Sequence, residues 1–129
     1  MDDMGLLYAD LTIENPRQPE ATARLSGVLV DSGSELTWVP AAVLEGLGIT
    51  RRKTVQRFIM ADGRSLARHA GYAILRAGGE ETVDEVVFAE PGDLVLLGAR
   101  TLEGLNLRVD LVEKRLVAAG PRLAAAGVG

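Results

Sequence analysis

Short apolar runs separated by turn residues follow one another along most of the chain, a pattern typical of β-strands. Strands are predicted over residues 6–13 and 21–25. The runs GVLVD (27–31) and LVLLG (94–98) are almost continuously apolar, as expected of strands buried on both faces. An Asp-Gly pair at residues 62–63 lies between two further strand-like segments and predicts a tight hairpin. The chain is therefore predicted to be mainly β.

Two short helices are predicted to interrupt this pattern, over residues 39–49 and 99–107. The segments AAVLEGLGI and ARTLEGLNL within them share Leu-Glu-Gly-Leu, and each follows an apolar strand that runs into a glycine. The preceding elements also match in order, which predicts two copies of one strand–strand–strand–helix unit and a pseudo-twofold domain. The alternative is a chance similarity between two helices rich in alanine and leucine. When the two apolar strands that run into a glycine are taken as equivalent, residues 96–98 of the second copy occupy the place of residues 31–33 of the first.

Length and composition exclude several classes of protein. A chain of 129 residues fits a single domain over 1–129, with a core over about 6–117 and a tail over 118–129. A net charge of −4 argues against nucleic-acid binding, which needs a basic surface. With no cysteine and His69 as the one histidine, we expect neither a metal site nor a cofactor. The acidic start and the lack of a long apolar run predict a soluble cytoplasmic protein that binds no membrane.

The segment VLVDSGS (28–34) resembles the catalytic strand and loop of the aspartic peptidases. LVLLG (94–98) resembles the later segment of those enzymes, which crosses beneath that loop. A helix after Pro40 and a hairpin around residues 61–64 make the order similar to that of the retropepsin-like group, in its cellular and bacterial form. The resemblance covers about residues 6–117. It implies a closed, β-barrel-like acid protease fold with two short helices, and an enzyme that acts as a homodimer.

Under this resemblance the chain is an aspartic endopeptidase, and Asp31 supplies the catalytic carboxylate. The mechanism needs two carboxylates about 3 Å apart that share one proton, of which one polarises the scissile carbonyl and the other activates water. Ser32 would bond across to the partner loop, and Gly33 would let the backbone approach the carboxylate. Since the second copy of the repeat has no acid at this place, the second carboxylate must be Asp31 of another chain.

The same resemblance implies a peptide-binding cleft that is covered by the hairpin around residues 61–64 acting as a flap. The residues expected to bind the peptide or protein substrate are Val30, Ile59, Met60, Ala61, Asp62, Gly63 and Leu97. The chain departs from the retroviral pattern at two places. Ser34 replaces an alanine, and Ala99 replaces an arginine, so that Arg100 is displaced by one position from where it could pair with Glu35.

Other interpretations of these residues stay open at this point. Asp31 could be an Asx-turn residue, since Asp-Ser-Gly is common in loops. A retropepsin-like domain could also serve for dimerisation or peptide binding without cleavage. A third possibility is a small β-barrel that binds another ligand, in which case Asp31 has no catalytic role. Trp38 is expected to pack in the core or under a loop and not to form a substrate platform.

Overall fold

The structure, a computed structural model, describes residues 6–124. Residues 1–5 and 125–129, the latter belonging to the predicted tail, lie outside the described residues. Within 6–124 there are ten strands and two helices. The strands are β1 (Tyr8–Asn15), β2 (Gln18–Val30), β3 (Thr37–Pro40), β4 (Gln56–Ile59), β5 (Ser65–Arg68), β6 (Ala70–Ala77), β7 (Glu80–Ala89), β8 (Leu96–Leu97), β9 (Leu107–Asp110) and β10 (Arg115–Ala118). The helices are α1 (Ala41–Gly46) and α2 (Ala99–Gly104).

Six of these strands form a closed barrel in the order β1-β2-β8-β3-β7-β6, with β6 pairing back to β1. The short strand β8 lies between β2, to which it is parallel, and β3, to which it is antiparallel. The strands β4 and β5 form a separate two-stranded sheet, and β9 and β10 form another. The predicted mainly β barrel with two short helices is thus confirmed.

The barrel has the internal symmetry that the repeated helices predicted. Exchanging β1 with β6, β2 with β7 and β3 with β8 leaves the ring order unchanged. The exchange also preserves the direction of every pairing: β1–β2 and β6–β7 are antiparallel, while β2–β8 and β3–β7 are parallel. The pseudo-twofold axis passes between Trp38 and Leu96, which pair with each other and stand at equivalent places in β3 and β8.

This symmetry corrects the residue alignment of the two copies. Leu29 pairs with Leu96, and Val87 pairs with Trp38, so Leu29 and Val87 are equivalent. Two positions further on, the counterpart of Asp31 is therefore Ala89, at the end of β7, and not the segment 96–98. The predicted consequence is unchanged, because alanine also supplies no carboxylate.

Several element boundaries differ from the prediction; β8 covers only Leu96–Leu97 of the strand predicted over 94–98, and α2 ends at Gly104. The two segments predicted over 21–25 and 27–31 form one strand, β2, because Gly27 takes φ +64° and the strand continues through a bulge. Pro40 ends β3 and precedes α1, where its fixed φ fits the N-cap position. The strand-like segment after the hairpin divides at His69 into β5 and β6, since only β6 joins the barrel.

Two apolar clusters stabilise the barrel. The larger one fills the interior, and Leu97 lies within it. The smaller one contains Trp38, Val87 and Leu96, and Phe58 of β4 packs against it together with Met60. The hairpin of β4 and β5 (residues 56–68, called the flap hairpin below) is therefore held against the barrel by apolar contact, although it shares no strand ladder with it.

Candidate active site

Asp31 lies just after β2, at the start of a tight turn. Its backbone N–H donates to the carbonyl of Leu97 (2.9 Å), and its carbonyl accepts from Ser34 N–H (3.1 Å). Its carboxylate atom Oδ1 accepts a hydrogen bond from Gly33 N–H (3.0 Å). A Cβ atom at position 33 would stand 3.2 Å from that oxygen, so glycine permits this close approach. The carboxylate is thus held by the backbone while Asp31 stays partly exposed.

The segment that leads into α2 crosses directly behind this turn. Ala99 N–H donates to the carbonyl of Ser34 (2.7 Å), and Arg100 N–H donates to that of Glu35 (3.0 Å). A Cβ atom at Gly98 would lie 2.3 Å from the carbonyl oxygen of Leu36. Only glycine therefore allows the two segments to cross at this distance.

A buried chain of hydrogen bonds joins Gly98 of the crossing segment to Thr37, Thr101 and Asp84. Gly98 N–H donates to Thr37 Oγ1 (3.0 Å), and the hydroxyl groups of Thr37 and Thr101 lie 2.6 Å apart. Thr101 Oγ1 donates to Asp84 Oδ2 (2.9 Å). Because the proton of Thr101 is committed to Asp84, Thr37 donates to Thr101. Both threonines are fully buried, and every polar group of this chain has a partner.

A cleft of about 520 Å³ opens beside the turn, between the barrel and the flap hairpin. Five of the predicted site residues line it: Asp31, Gly33, Ile59, Met60 and Ala61. The sequence missed other lining residues, namely Ser34, Glu35, Leu36, Trp38, Arg57, Phe58, Leu94 and Leu96. Trp38 is largely buried, yet one side of it faces this cleft.

The remaining predicted site residues lie elsewhere. Leu97 is fully buried in the barrel interior, and Val30 packs against the same cluster. Successive residues of a strand point to opposite faces, so Leu96 and not Leu97 is turned towards the cleft. Ser32 is exposed at the turn and does not line the cleft, and Asp62 and Gly63 are exposed at the tip of the flap hairpin.

The tip of the flap hairpin has a well-defined turn. Met60 N–H donates to the carbonyl of Arg64 (2.8 Å), and Gly63 takes φ +88°, the conformation predicted for it. The backbone N–H and the side chain of Arg64 both donate to the Asp62 carboxylate, and they lower its pKa. At the other end of the hairpin's inner face, the rings of Phe58 and Trp38 have their centroids 5.0 Å apart. The hairpin thus lies along the cleft that contains Asp31.

The charges around the crossing differ from the retroviral pattern. Arg100 lies 3.6 Å from both Asp84 and Glu85, and it meets Glu35 only through the backbone. Among residues 6–124, the carboxylate of Glu35 forms no ion pair. His69 is partly buried, with Nδ1 3.3 Å from the carbonyl of Arg52.

Two kinds of feature are absent from residues 6–124. No three His, Cys, Asp or Glu residues there come together in a way that could hold a metal ion. No helix in the same part of the chain is long and apolar enough to span a membrane.

The six-stranded barrel, the segment crossing behind the Asp31 turn and the two short helices match the architecture that the sequence resemblance implied. Among solved structures, the chain is similar to the solution structure of the protease of simian foamy virus (mac), with 22% sequence identity and a TM-score of 0.45. The match covers 73% of this chain and 91% of the viral one, and the likeness concerns the fold alone. No protein-family model matches the chain, and no curated protein matches it.

Proposed function

We propose that the chain is an aspartic endopeptidase that becomes active as a homodimer, with one Asp31 from each subunit forming the catalytic pair. The observation that carries the proposal is the setting of Asp31. Its carboxylate lies at the mouth of a cleft of about 520 Å³, on a turn fixed by the crossing segment. Asp31, Glu35 and Arg57 are the charged residues that line this cleft.

The need for a second subunit follows from the pseudo-twofold symmetry. The counterpart of Asp31 within the chain is Ala89, so the second half of the chain supplies no carboxylate to face Asp31. An isologous dimer would bring two identical turns face to face across its axis. The exposed position of Ser32 fits this arrangement, since its hydroxyl group is available to the partner turn.

In such a pair, two like charges at about 3 Å cannot both be ionised, so the carboxylates share one proton. The protonated carboxyl group donates to the carbonyl oxygen of the scissile peptide bond. The ionised one accepts a proton from water as the water oxygen attacks the carbonyl carbon. That proton then moves to the peptide nitrogen as the C–N bond breaks, and the pair of carboxylates is left with one shared proton again. The flap hairpin would bind an extended peptide through its backbone and exclude bulk water.

The direct test is Asp31→Asn, with Asp10→Asn as the matched control. Asp10 is an exposed aspartate on β1 that pairs with Arg24 and does not line the cleft. Both proteins are assayed on an unstructured peptide over a range of acidic pH. We expect Asp31→Asn to keep its fold and lose cleavage, and Asp10→Asn to keep both. If purified Asp31→Asn cleaves as fast as the parent protein, Asp31 is not the catalyst.

A mixing experiment tests the shared site. A ninefold excess of Asp31→Asn over wild type, after exchange of subunits, should lower activity about tenfold, because most wild-type subunits then face an inactive partner. The same excess of Asp10→Asn should not lower it. Unchanged activity in the first mixture would mean that one chain is sufficient. Peptide binding without cleavage by the wild-type dimer would instead favour a non-catalytic peptide-binding domain.

A further inference from the structure

The attachment of the flap hairpin to the barrel depends on side chains, since β4 and β5 pair only with each other. The strongest polar attachment is at Arg68, the last residue of β5. Its Nε donates to Asp93 Oδ2 (2.7 Å) and its Nη2 donates to Asp93 Oδ1 (2.9 Å). The side chains are only 19% and 11% exposed. A two-point, largely buried ion pair of this kind fixes orientation as well as distance.

Asp93 belongs to the turn between β7 and β8, and it also fixes that turn. Its Oδ2 atom accepts from Glu90 N–H (2.8 Å), and its own N–H donates to the carbonyl of Glu90 (2.9 Å). The next residue, Leu94, lines the Asp31 cleft. The hydrogen bond from Arg68 lowers the pKa of Asp93, and Asp93 in turn raises the pKa of Arg68. One carboxylate therefore joins the flap hairpin to a wall of the cleft.

The pseudo-twofold symmetry of the barrel relates the turn between β7 and β8 to the Asp31 turn. Trp38 lies seven positions after Asp31, and Leu96 lies seven after its counterpart Ala89, so the two turns have equal length. Asp93 is accordingly the counterpart of Glu35. The first turn carries the catalytic candidate, whereas the second turn has alanine at that place and holds the hairpin through Asp93.

We propose that Arg68 and Asp93 are positioning residues that hold the flap hairpin over the Asp31 cleft, an inference that rests on the proposed protease function. The other strand of the hairpin, β4, has its own attachment. Gln56 and Arg52 both donate to Glu85 of the barrel. Loss of the Arg68–Asp93 pair should therefore release β5 from the barrel, while β4 stays attached.

The test begins with Arg68→Gln, measured first without substrate. Amide hydrogen exchange over residues 56–68 should become at least about tenfold faster, since the released strand β5 opens more often. Trp38 is the one tryptophan of the chain and contacts Phe58 of the hairpin, so its fluorescence should report the same loosening. In the peptide assay, KM should rise severalfold for an extended peptide, with a smaller change in kcat.

A double variant separates positioning from general stability. Arg68→Gln leaves the Asp93 carboxylate without its cation, which lowers overall stability. Adding Asp93→Asn removes that unpaired charge, so the melting temperature should recover in large part, while fast exchange in the hairpin and the raised KM persist. If exchange and KM recover together with the melting temperature, the pair has a structural role only and the inference is wrong.

The matched control is Arg76→Gln, which removes the partner of Glu14, a carboxylate of similar burial, on the barrel strands β1 and β6. It should lower the melting temperature without selective loosening of the hairpin. Equal loosening in Arg76→Gln and Arg68→Gln would overturn the inference. The exchange and fluorescence readouts need no catalysis. If the hairpin loosens but the protein has no peptidase activity, only the proposed function is wrong. If the protein is an active peptidase but the hairpin does not loosen, only the positioning role is wrong.

Discussion

Thr37→Val tests the hydrogen-bond chain beneath the candidate active site. Valine has nearly the shape of threonine, so the substitution removes a hydroxyl group without opening a cavity. Thr37 is fully buried, and its hydroxyl group accepts from Gly98 N–H and donates to Thr101. The variant therefore leaves the Gly98 N–H without a partner, directly behind the turn that holds Asp31.

The expected cost follows from these two bonds. A buried N–H left unpaired costs about 1–3 kcal/mol, and a lost neutral hydrogen bond adds about 1 kcal/mol, which gives about 2–4 kcal/mol in total. Thr37→Ser keeps the hydroxyl group and loses one methyl group, for which we expect about 1 kcal/mol. The order of stability should thus be wild type, then Thr37→Ser, then Thr37→Val.

The measurement is urea denaturation at one fixed protein concentration, because any dimer would make the free energy of unfolding depend on concentration. Thr22→Val serves as the control. Thr22 lies on β2 with its side chain exposed, and the change in its unfolding free energy should stay within about 0.5 kcal/mol. If Thr37→Val costs no more than this control, the buried chain does not stabilise the crossing, and the argument from its geometry is refuted.

Three further predictions concern the crossing and the flap hairpin. Gly98→Ala places a Cβ atom 2.3 Å from the backbone oxygen of Leu36, so it should either prevent folding or displace the Asp31 turn and abolish cleavage; a stable, fully active Gly98→Ala protein would contradict this. Gly63→Val strains a turn residue at φ +88° that has no atoms nearby, so turnover should fall far more than the melting temperature, and parallel losses of both would count against a flap role. The pKa of Asp93 in the folded protein is below its unfolded value of about 3.8. Its ion pair with Arg68 therefore stabilises the hairpin at higher pH and is lost as the pH falls through the folded pKa. Hydrogen exchange in the hairpin, corrected for intrinsic rates, should accelerate only below about pH 3.8.

The sequence alone was sufficient for the local features. The apolar run before Asp31 predicted a strand that delivers the carboxylate at its end, because a strand buried on both faces must be continuously apolar. The Asp62-Gly63 pair predicted the hairpin turn, because Gly63 accepts the positive φ that the turn requires. The repeated Leu-Glu-Gly-Leu segments predicted two equivalent helices. Each of these predictions depends on the conformational preferences of neighbouring residues, which the order of residues displays directly.

The alignment of the strands in the two copies was decided by the strand pairings. Taking the two apolar runs that end in glycine as equivalent placed residues 96–98 opposite the Asp31 turn. The strand pairings place Ala89 there, with the same shift that separates the two Leu-Glu-Gly-Leu segments. Equivalence in a barrel is set by which residues share a ladder, and ladders join strands that are distant in sequence. The choice between Leu96 and Leu97 as the cleft residue was likewise decided by the phase of strand alternation, which a run of apolar residues conceals.

Side-chain partners were the second matter that only the tertiary structure decided. Arg100 pairs with Asp84 and Glu85 and leaves the Glu35 carboxylate without an ion pair among residues 6–124. Arg68 of the flap hairpin pairs with Asp93 of the turn between β7 and β8, although the sequence shows only two charged residues in separate segments. A long charged side chain can reach many partners, and the one it binds depends on which backbone segments the closed barrel brings within hydrogen-bond distance. The sequence thus determined the Asp31 strand, the hairpin and the two helices, while closure of the barrel decided which residues surround them.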